Sequence, residues 1–477
     1  MKRETEKKPQ TIPIRYAVYA LAVLFLCNLF NYIDRNSINP MAETIIAEFH
    51  LNDTQWGLIT SAFMYVYCIL AFPMAWLSDR GSRTRIISLG VLIWSISTVF
   101  TGFARNFTSL FLARALVGSG EGMYSPSSSA LACDYFPAKR RNTVIAILMS
   151  TLIIGPAAGL IMGGKVMEII GWRKVFFIVG PPGLLLALLA YLLREPVKGA
   201  QEGYLSLDEA MHINSKVSER PIRTELFELF KMFIAVVILP LYALKFVSRF
   251  FRPYSVIINF IRSTRLSRFI DTPTLLFLMF TGCCVTFSLG GLIIWIFPYV
   301  ERKWGVTSGD AVMSAGLPVI GACVVGIIVS GVGADFLNRF TRRGPVYLMV
   351  AGILIGSPFL LFFLMADNYG LAIMFLTVGS FFMSWYNGLS NAMQMNLVEP
   401  HFRAMISAIF IFLIHFYGDA PVGPIVGRFS DLYDLHTAML ILPIVGIVGA
   451  FIAVGAIFTV EKDLDTVQKR LKEAAVR

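Results

Sequence analysis

The sequence predicts an all-α membrane protein of twelve transmembrane helices in two six-helix halves, joined by an amphipathic cytoplasmic linker, and three observations carry that prediction. About twelve apolar segments of spanning length occur, in roughly 16–38, 55–77, 86–104, 108–133, 143–166, 173–193, 274–299, 311–334, 345–365, 369–392, 403–426 and 437–460. At 1.5 Å per residue, each can cross a ~30 Å hydrocarbon core. Only 15% of the 477 residues are charged and mean hydropathy is +0.69, where a soluble domain would carry about 25% charge. Lys and Arg also collect in alternate loops: the start (Lys2, Arg3, Lys7, Lys8), the second loop (Arg80, Arg83, Arg85), the fourth (Lys139, Arg140, Arg141), the eighth (Arg339, Arg342, Arg343) and the tail. The first loop, Pro40 to Thr54, has none. By the positive-inside rule both termini are cytoplasmic, and Lys165, Arg173, Lys174, Arg302 and Lys303 are exceptions that leave the total unchanged.

In chain order, span 1 follows a charged start, Met1 to Gln10, without a small-residue cleavage pattern, and reads as a retained helix. Spans 1–6 form a first half over 1–194, and spans 7–12 a second over 273–477. After span 2 comes Ala75-Trp76-Leu77-Ser78-Asp79-Arg80-Gly81-Ser82-Arg83, and after span 8 Gly331-Val332-Gly333-Ala334-Asp335-Phe336-Leu337-Asn338-Arg339. In both, a small residue precedes an Asp by four and an Arg follows within four, which points to duplicated halves with a site between them near the midplane. Positive-inside bias alone would place Arg83 and Arg339. The acids add nothing to orientation, so Asp79 with Arg83 and Asp335 with Arg339 are read as cytoplasmic gate contacts that break when the halves rock.

Between the halves, 195–272 is polar and then amphipathic. Met232 to Leu244 is an apolar run too short to span and interrupted by Pro240, so a re-entrant segment over 229–251 stays open. Phe246 to Phe269 interleaves aromatic and aliphatic residues with Arg249, Arg252, Arg262, Arg265 and Arg268, which suits a helix lying in anionic headgroups.

Several residues break the apolar pattern inside spans. Span 1 carries Asn31-Tyr32-Ile33-Asp34-Arg35, and a charge at mid-bilayer costs at least ~2.5 to 3.5 kcal/mol, so such side chains face a cavity or a partner. Span 4 carries Arg114, Gly118, Glu121 and Ser125 on one face. Its Gly118-Ser119-Gly120-Glu121-Gly122 string has no preceding strand and cannot form a phosphate-binding turn inside an apolar span, so its glycines are assigned to close helix contact. Counting rise along the helices puts Asp34 and Arg114 at nearly the same depth, with Glu121 about two turns deeper and Arg35 about 100° around span 1 from Asp34. Asp34 and Glu121 are therefore the proton-coupling candidates. Protonating either carboxylate would free an Arg for a substrate anion; a permanent Asp34–Arg114 pair fixing two helices is the structural alternative.

Span 11 places His415 and Asp419 one turn apart in His415-Phe416-Tyr417-Gly418-Asp419-Ala420-Pro421. Together with Arg35, Arg114, Tyr124, Trp385 and Asn387 they are candidate substrate-binding residues or charge partners; Tyr65, Tyr67 and Trp295 are further cavity candidates. All six cysteines fall inside apolar spans, with no disulfide or zinc spacing. No metal, cofactor or nucleic-acid partner is expected. No nucleophile with a base stands within the spans, so the chain is not read as an enzyme, and a non-transporting sensor would sooner carry a folded soluble domain.

These strings together resemble the major facilitator superfamily, across the chain apart from the linker; Ala75 stands where the family's loop usually has Gly. Asn-Tyr-x-Asp-Arg in span 1, Arg114 through Glu121 with Tyr124-Ser125-Pro126, and His415-x-x-Gly-Asp-Ala are similar to the spinster-like branch. The resemblance implies rocking alternating access, lysophospholipid or sphingoid-phosphate cargo, and proton sites at Asp34 and Glu121. The anion:cation symporter branch fits Asp34-Arg35, Arg114 with Glu121, and the Asp134 to Arg141 loop; there Arg35 would bind a sugar-acid carboxylate. The combined expectation is a monomeric, proton-coupled carrier of an organic anion in a bacterial inner membrane.

Overall fold

The structure, a computed structural model, describes residues 12–137, 140–197, 222–238, 271–398 and 403–476. Twelve helices lie where the apolar segments do. Spans 1–6 are Ile14–Ser37, Asp53–Arg80, Arg83–Gly102, Phe107–Tyr135, Thr143–Ile170 and Trp172–Tyr191. Spans 7–12 are Pro273–Trp304, Ser308–Leu337, Gly344–Met365, Tyr369–Asn396, Met405–Leu432 and Leu435–Arg470. Eleven are long and apolar enough to cross a bilayer by length and composition alone. The remaining one, span 4, has 29 residues; its glycines, serines and Glu121 lower its hydropathy, and it is buried inside the first half against spans 2 and 3.

Glycine permits that burial. A Cβ on Gly90 of span 3 would lie 2.7 Å from the Gly120 carbonyl oxygen of span 4, so only hydrogens fit where these helices cross. The two halves repeat one another in detail. In the first, the Tyr124 hydroxyl of span 4 donates to the Leu24 carbonyl of span 1 at 2.8 Å; in the second, Tyr386 of span 10 donates to Leu278 of span 7 at 2.7 Å. Three spans contain one π-helical turn each, at Met162–Val166, Val312–Gly316 and His415–Asp419. Such turns often mark functional positions.

The start of span 1, the end of span 12, the loops after spans 2 and 8 and the described part of the loop after span 4 lie at one face, here the termini face; the loops after spans 1, 7 and 11 lie at the far face. Near the termini face Glu195 accepts from the Ser82 hydroxyl and the Arg83 and Thr84 backbone N–H at 2.8–2.9 Å, satisfying the orphan donors of span 3. The span 12 helix runs on to Val476, and its exposed extension pairs Asp465 with Arg342 and Glu461 with Arg343. In the linker, Ile222–Ile238 is a helix. The headgroup helix expected at Phe246 to Phe269 and the end of the Met232–Leu244 run lie outside the described residues.

Candidate functional site

Successive positions on span 1 send Asp34 and Arg35 to different neighbours. Asp34, 1% exposed, points into the first half, where Arg114 Nη1 donates to Oδ1 at 3.3 Å and the Thr98 hydroxyl donates to Oδ2. Arg114 is itself 2% exposed, with Cζ 5.5 Å from the Phe63 ring centroid. Depth reckoning on the sequence thus matches the contact. Leaving either charge of such a buried pair alone costs roughly 3–5 kcal/mol.

Glu121 is as buried, 1% exposed; the Asn31 amide is close enough to act on its carboxylate, yet neither oxygen, nor the Asn31 nitrogen, has a partner within hydrogen-bond distance. The charges whose fields reach Glu121 are Arg35, Asp34 and Arg114. One half therefore holds a carboxylate with both oxygens bonded and, beside it, one with only the Asn31 amide near it and no bond within hydrogen-bond distance. Buried polar groups are rarely left so.

Arg35 leaves the interior of the first half. It is half-buried, with Nη2 3.6 Å from the Met64 sulfur and its guanidinium over the rings of Phe63 (5.0 Å) and Tyr67 (5.6 Å) on span 2. Its field meets Glu121 in the first half and Asp419 in the second. Asp419 belongs to the π-turn of span 11, where His415 Nδ1 lies 2.9 Å from Oδ2 while Oδ1 has no partner. Tyr65 of span 2 and Phe416 of the same turn meet edge-on across the halves at 5.2 Å. Arg35 thus stands at the seam between an unpaired carboxylate on one side and a half-paired one on the other.

The other sequence candidates lie apart from this cluster. Tyr124 is buried in the first half, its hydroxyl committed to Leu24 and its ring edge-on to Trp94. Trp385 packs with Phe381 and Phe382 inside the second half, and Asn387 is exposed. At the termini face Arg83 binds Asp79 (2.9 Å) and Asp134, all within the first half. Asp335 and Arg339 are exposed, with no ion pair to a described residue.

Sequence reading missed a second set of residues, which closes the far face. Arg302 of span 7 makes a forked pair with Asp53 of span 2 at 2.7 Å and reaches Glu43 at 2.9 Å. Asp431 of span 11 accepts the Asp53 and Thr54 backbone N–H at 2.9 and 3.0 Å. Lys165 meets Asp310 at 2.7 Å, and Glu168 accepts from the Gly309 N–H at 2.8 Å. The Ser61 hydroxyl donates to the Ala420 carbonyl, and the backbones of Gly57 and Gly423 cross without side chains between them. Arg302 and Lys165, exceptions to the charge rule, are thus cross-half partners; Arg173 pairs with Glu48. The available signal was acids in the same outer loops.

Two six-span bundles around a midplane charge cluster, closed at one face, define a secondary transporter of the alternating-access kind. The chain belongs to the Major Facilitator Superfamily, whose family model matches residues 24–418. Within it the chain is a multi-pass transporter of the spinster-like branch. Protein spinster homolog 1 of Xenopus tropicalis is 24% identical, over 95% of this chain and 82% of that protein. The human protein of that name is 27% identical over 86% and 73%, and an MFS-type efflux pump of Mycolicibacterium smegmatis is 26% identical over 93% and 92%. The crystal structure of a bacterial homolog to the human lysosomal transporter spinster, inward-facing and occupied, superposes with a TM-score of 0.75 at 23% identity, covering 94% of this chain and 98% of that one.

Proposed function

We propose that this chain is a proton-coupled carrier of an organic anion, amphipathic or lysophospholipid-like, working by alternating access in a bacterial inner membrane with both termini cytoplasmic. In that orientation the far face is the outside, and in the described state the halves are latched there and stand apart toward the cytoplasm, with the linker helix between them. The observation that supports this most directly is the contrast between Asp34, held by Arg114 and Thr98, and Glu121, buried with both oxygens unpartnered.

Glu121 is the group with capacity to gain a proton without breaking a bond. When it is charged, its field holds Arg35 toward the first half; when it is protonated, Arg35 is free for a substrate anion or for Asp419 across the seam. Proton and anion then compete for one guanidinium, which couples their movements. Phe63, Met64 and Tyr67 around Arg35 offer an apolar wall suited to a lipid-like tail. Asp79, Arg83, Asp335 and Arg339 would engage when the cytoplasmic ends meet.

Uptake into proteoliposomes of a labelled lysolipid and a labelled sugar acid, with and without a pH gradient, tests the assignment. The gradient should drive the lysolipid; drive on the sugar acid instead moves the cargo to the small-anion class. Glu121→Gln should abolish gradient-driven flux and leave exchange intact. Driven flux that survives in Glu121→Gln overturns the coupling role.

A further inference from the structure

The linker helix Ile222–Ile238 is built into the seam between the halves at the termini face. Near its start, Glu225 Oε2 accepts from Arg80 Nε at 2.8 Å and from Trp76 Nε1 at 3.0 Å, both on span 2. Eight residues on, about 12 Å along the axis, Phe233 lies between Phe72 of span 2 (6.3 Å between ring centroids) and Phe412 of span 11 (5.7 Å, edge-on). One turn further, the Tyr417 hydroxyl donates to the Val237 carbonyl. That bond ties the helix backbone to span 11. Ala235 and Val236, 0% and 1% exposed, are sealed, while Phe227 and Phe230 face outward.

One helix therefore touches both halves: span 2 through an ion pair and a ring, span 11 through a ring and a hydrogen bond. Its inner end meets Tyr417, which sits inside the His415–Asp419 turn, at the level of the charge cluster. Rocking the halves so that the far face opens must bring spans 2 and 11 together at the termini face. A helix about 10 Å across, with the Phe233 ring between Phe72 and Phe412, stands in that path.

We propose that Ile222–Ile238 is a removable wedge: it holds the far face shut by keeping spans 2 and 11 apart at the termini face, and it must withdraw before the carrier can turn over. The span 11 π-turn carries both its docking group, Tyr417, and two residues of the charge cluster, so events at the cluster reach the wedge directly. The wedge acts on the conformational equilibrium, and among the described residues the ion pair, hydrogen bonds and ring contacts given above join it to Trp76, Arg80, Phe72, Phe412 and Tyr417, not to Glu121.

The test needs neither cargo nor gradient, so its result stands apart from the transport assay. Ser61, 2% exposed at the far-face seam, is replaced in Ser61→Cys, and the full chain in lipid nanodiscs is labelled with a polar maleimide, the parent chain without this substitution giving the background. Adding Phe233→Ala should raise the labelling rate about three- to tenfold, the shift expected from losing edge-on ring contact. Glu225→Gln, which leaves the ring in place, should raise it less, and it serves alone if Phe233→Ala does not fold. Labelling at the unmodified rate in the folded variants overturns the wedge.

Discussion

The two ends of the seam between the halves are closed by different means. At the far face the halves bind one another directly, through Arg302 with Asp53 and Glu43, Asp431 with the Asp53 and Thr54 amides, and the bare backbones of Gly57 and Gly423. At the termini face no ion pair between described residues joins the halves; a third element, the linker helix, fills the gap with rings. A direct latch of charges at the protein edge can exchange its partners for water as it opens. A wedge has to be moved bodily. The two closures therefore respond to different perturbations.

The largest expected effect comes from the glycine crossing. A side chain at Gly57 would drive into the Gly423 carbonyl, and overpacking of this kind costs about 1–3 kcal/mol. Gly57→Val should open the far face, seen as a lengthened spin-label distance between His50 and Leu432, or lower the melting temperature if the halves cannot part; an unchanged distance and melting point would break the comparison. Next is Arg302→Ala, which leaves the buried Asp53 without its charged partner. At about 2 kcal/mol, a population shift on the order of thirtyfold, the same distance should lengthen without loss of fold. The smallest belongs to the Lys165–Asp310 pair, whose side chains are 41% and 62% exposed. Pairs this exposed contribute little and are screened by salt, so Asp310→Asn should shift the distance distribution only slightly, and less in high salt.

Much of the fold was legible because spanning helices are set by length and apolarity, and the twelve segments fall where the helices lie. The Asp34–Arg114 contact was legible too, since rise per residue puts the two at nearly the same depth and the helix turn sends the adjacent Arg35 elsewhere. The far-face latch was not. Arg302 and Asp53 are 249 positions apart, and a rule that counts loop cations treats Arg302 as noise. Thr98 escaped for a different reason: hydroxyls are common in spans, and nothing local marks the one that meets Asp34. The sequence left a re-entrant segment open over 229–251, but which spans would clasp Glu225 and Phe233 depends on how two halves stand to each other, which no single stretch of sequence encodes.

The matched tyrosine bonds, Tyr124 to Leu24 and Tyr386 to Leu278, carry one more consequence. By tying a ring on one helix to the backbone of another, each fixes the sliding register inside its own bundle. Sliding span 1, bearing Arg35, past span 4, bearing Glu121, would break such a bond, at a cost of about 1 kcal/mol. The easier route between those two groups is torsion about side-chain bonds, which turn over far faster than helices slip.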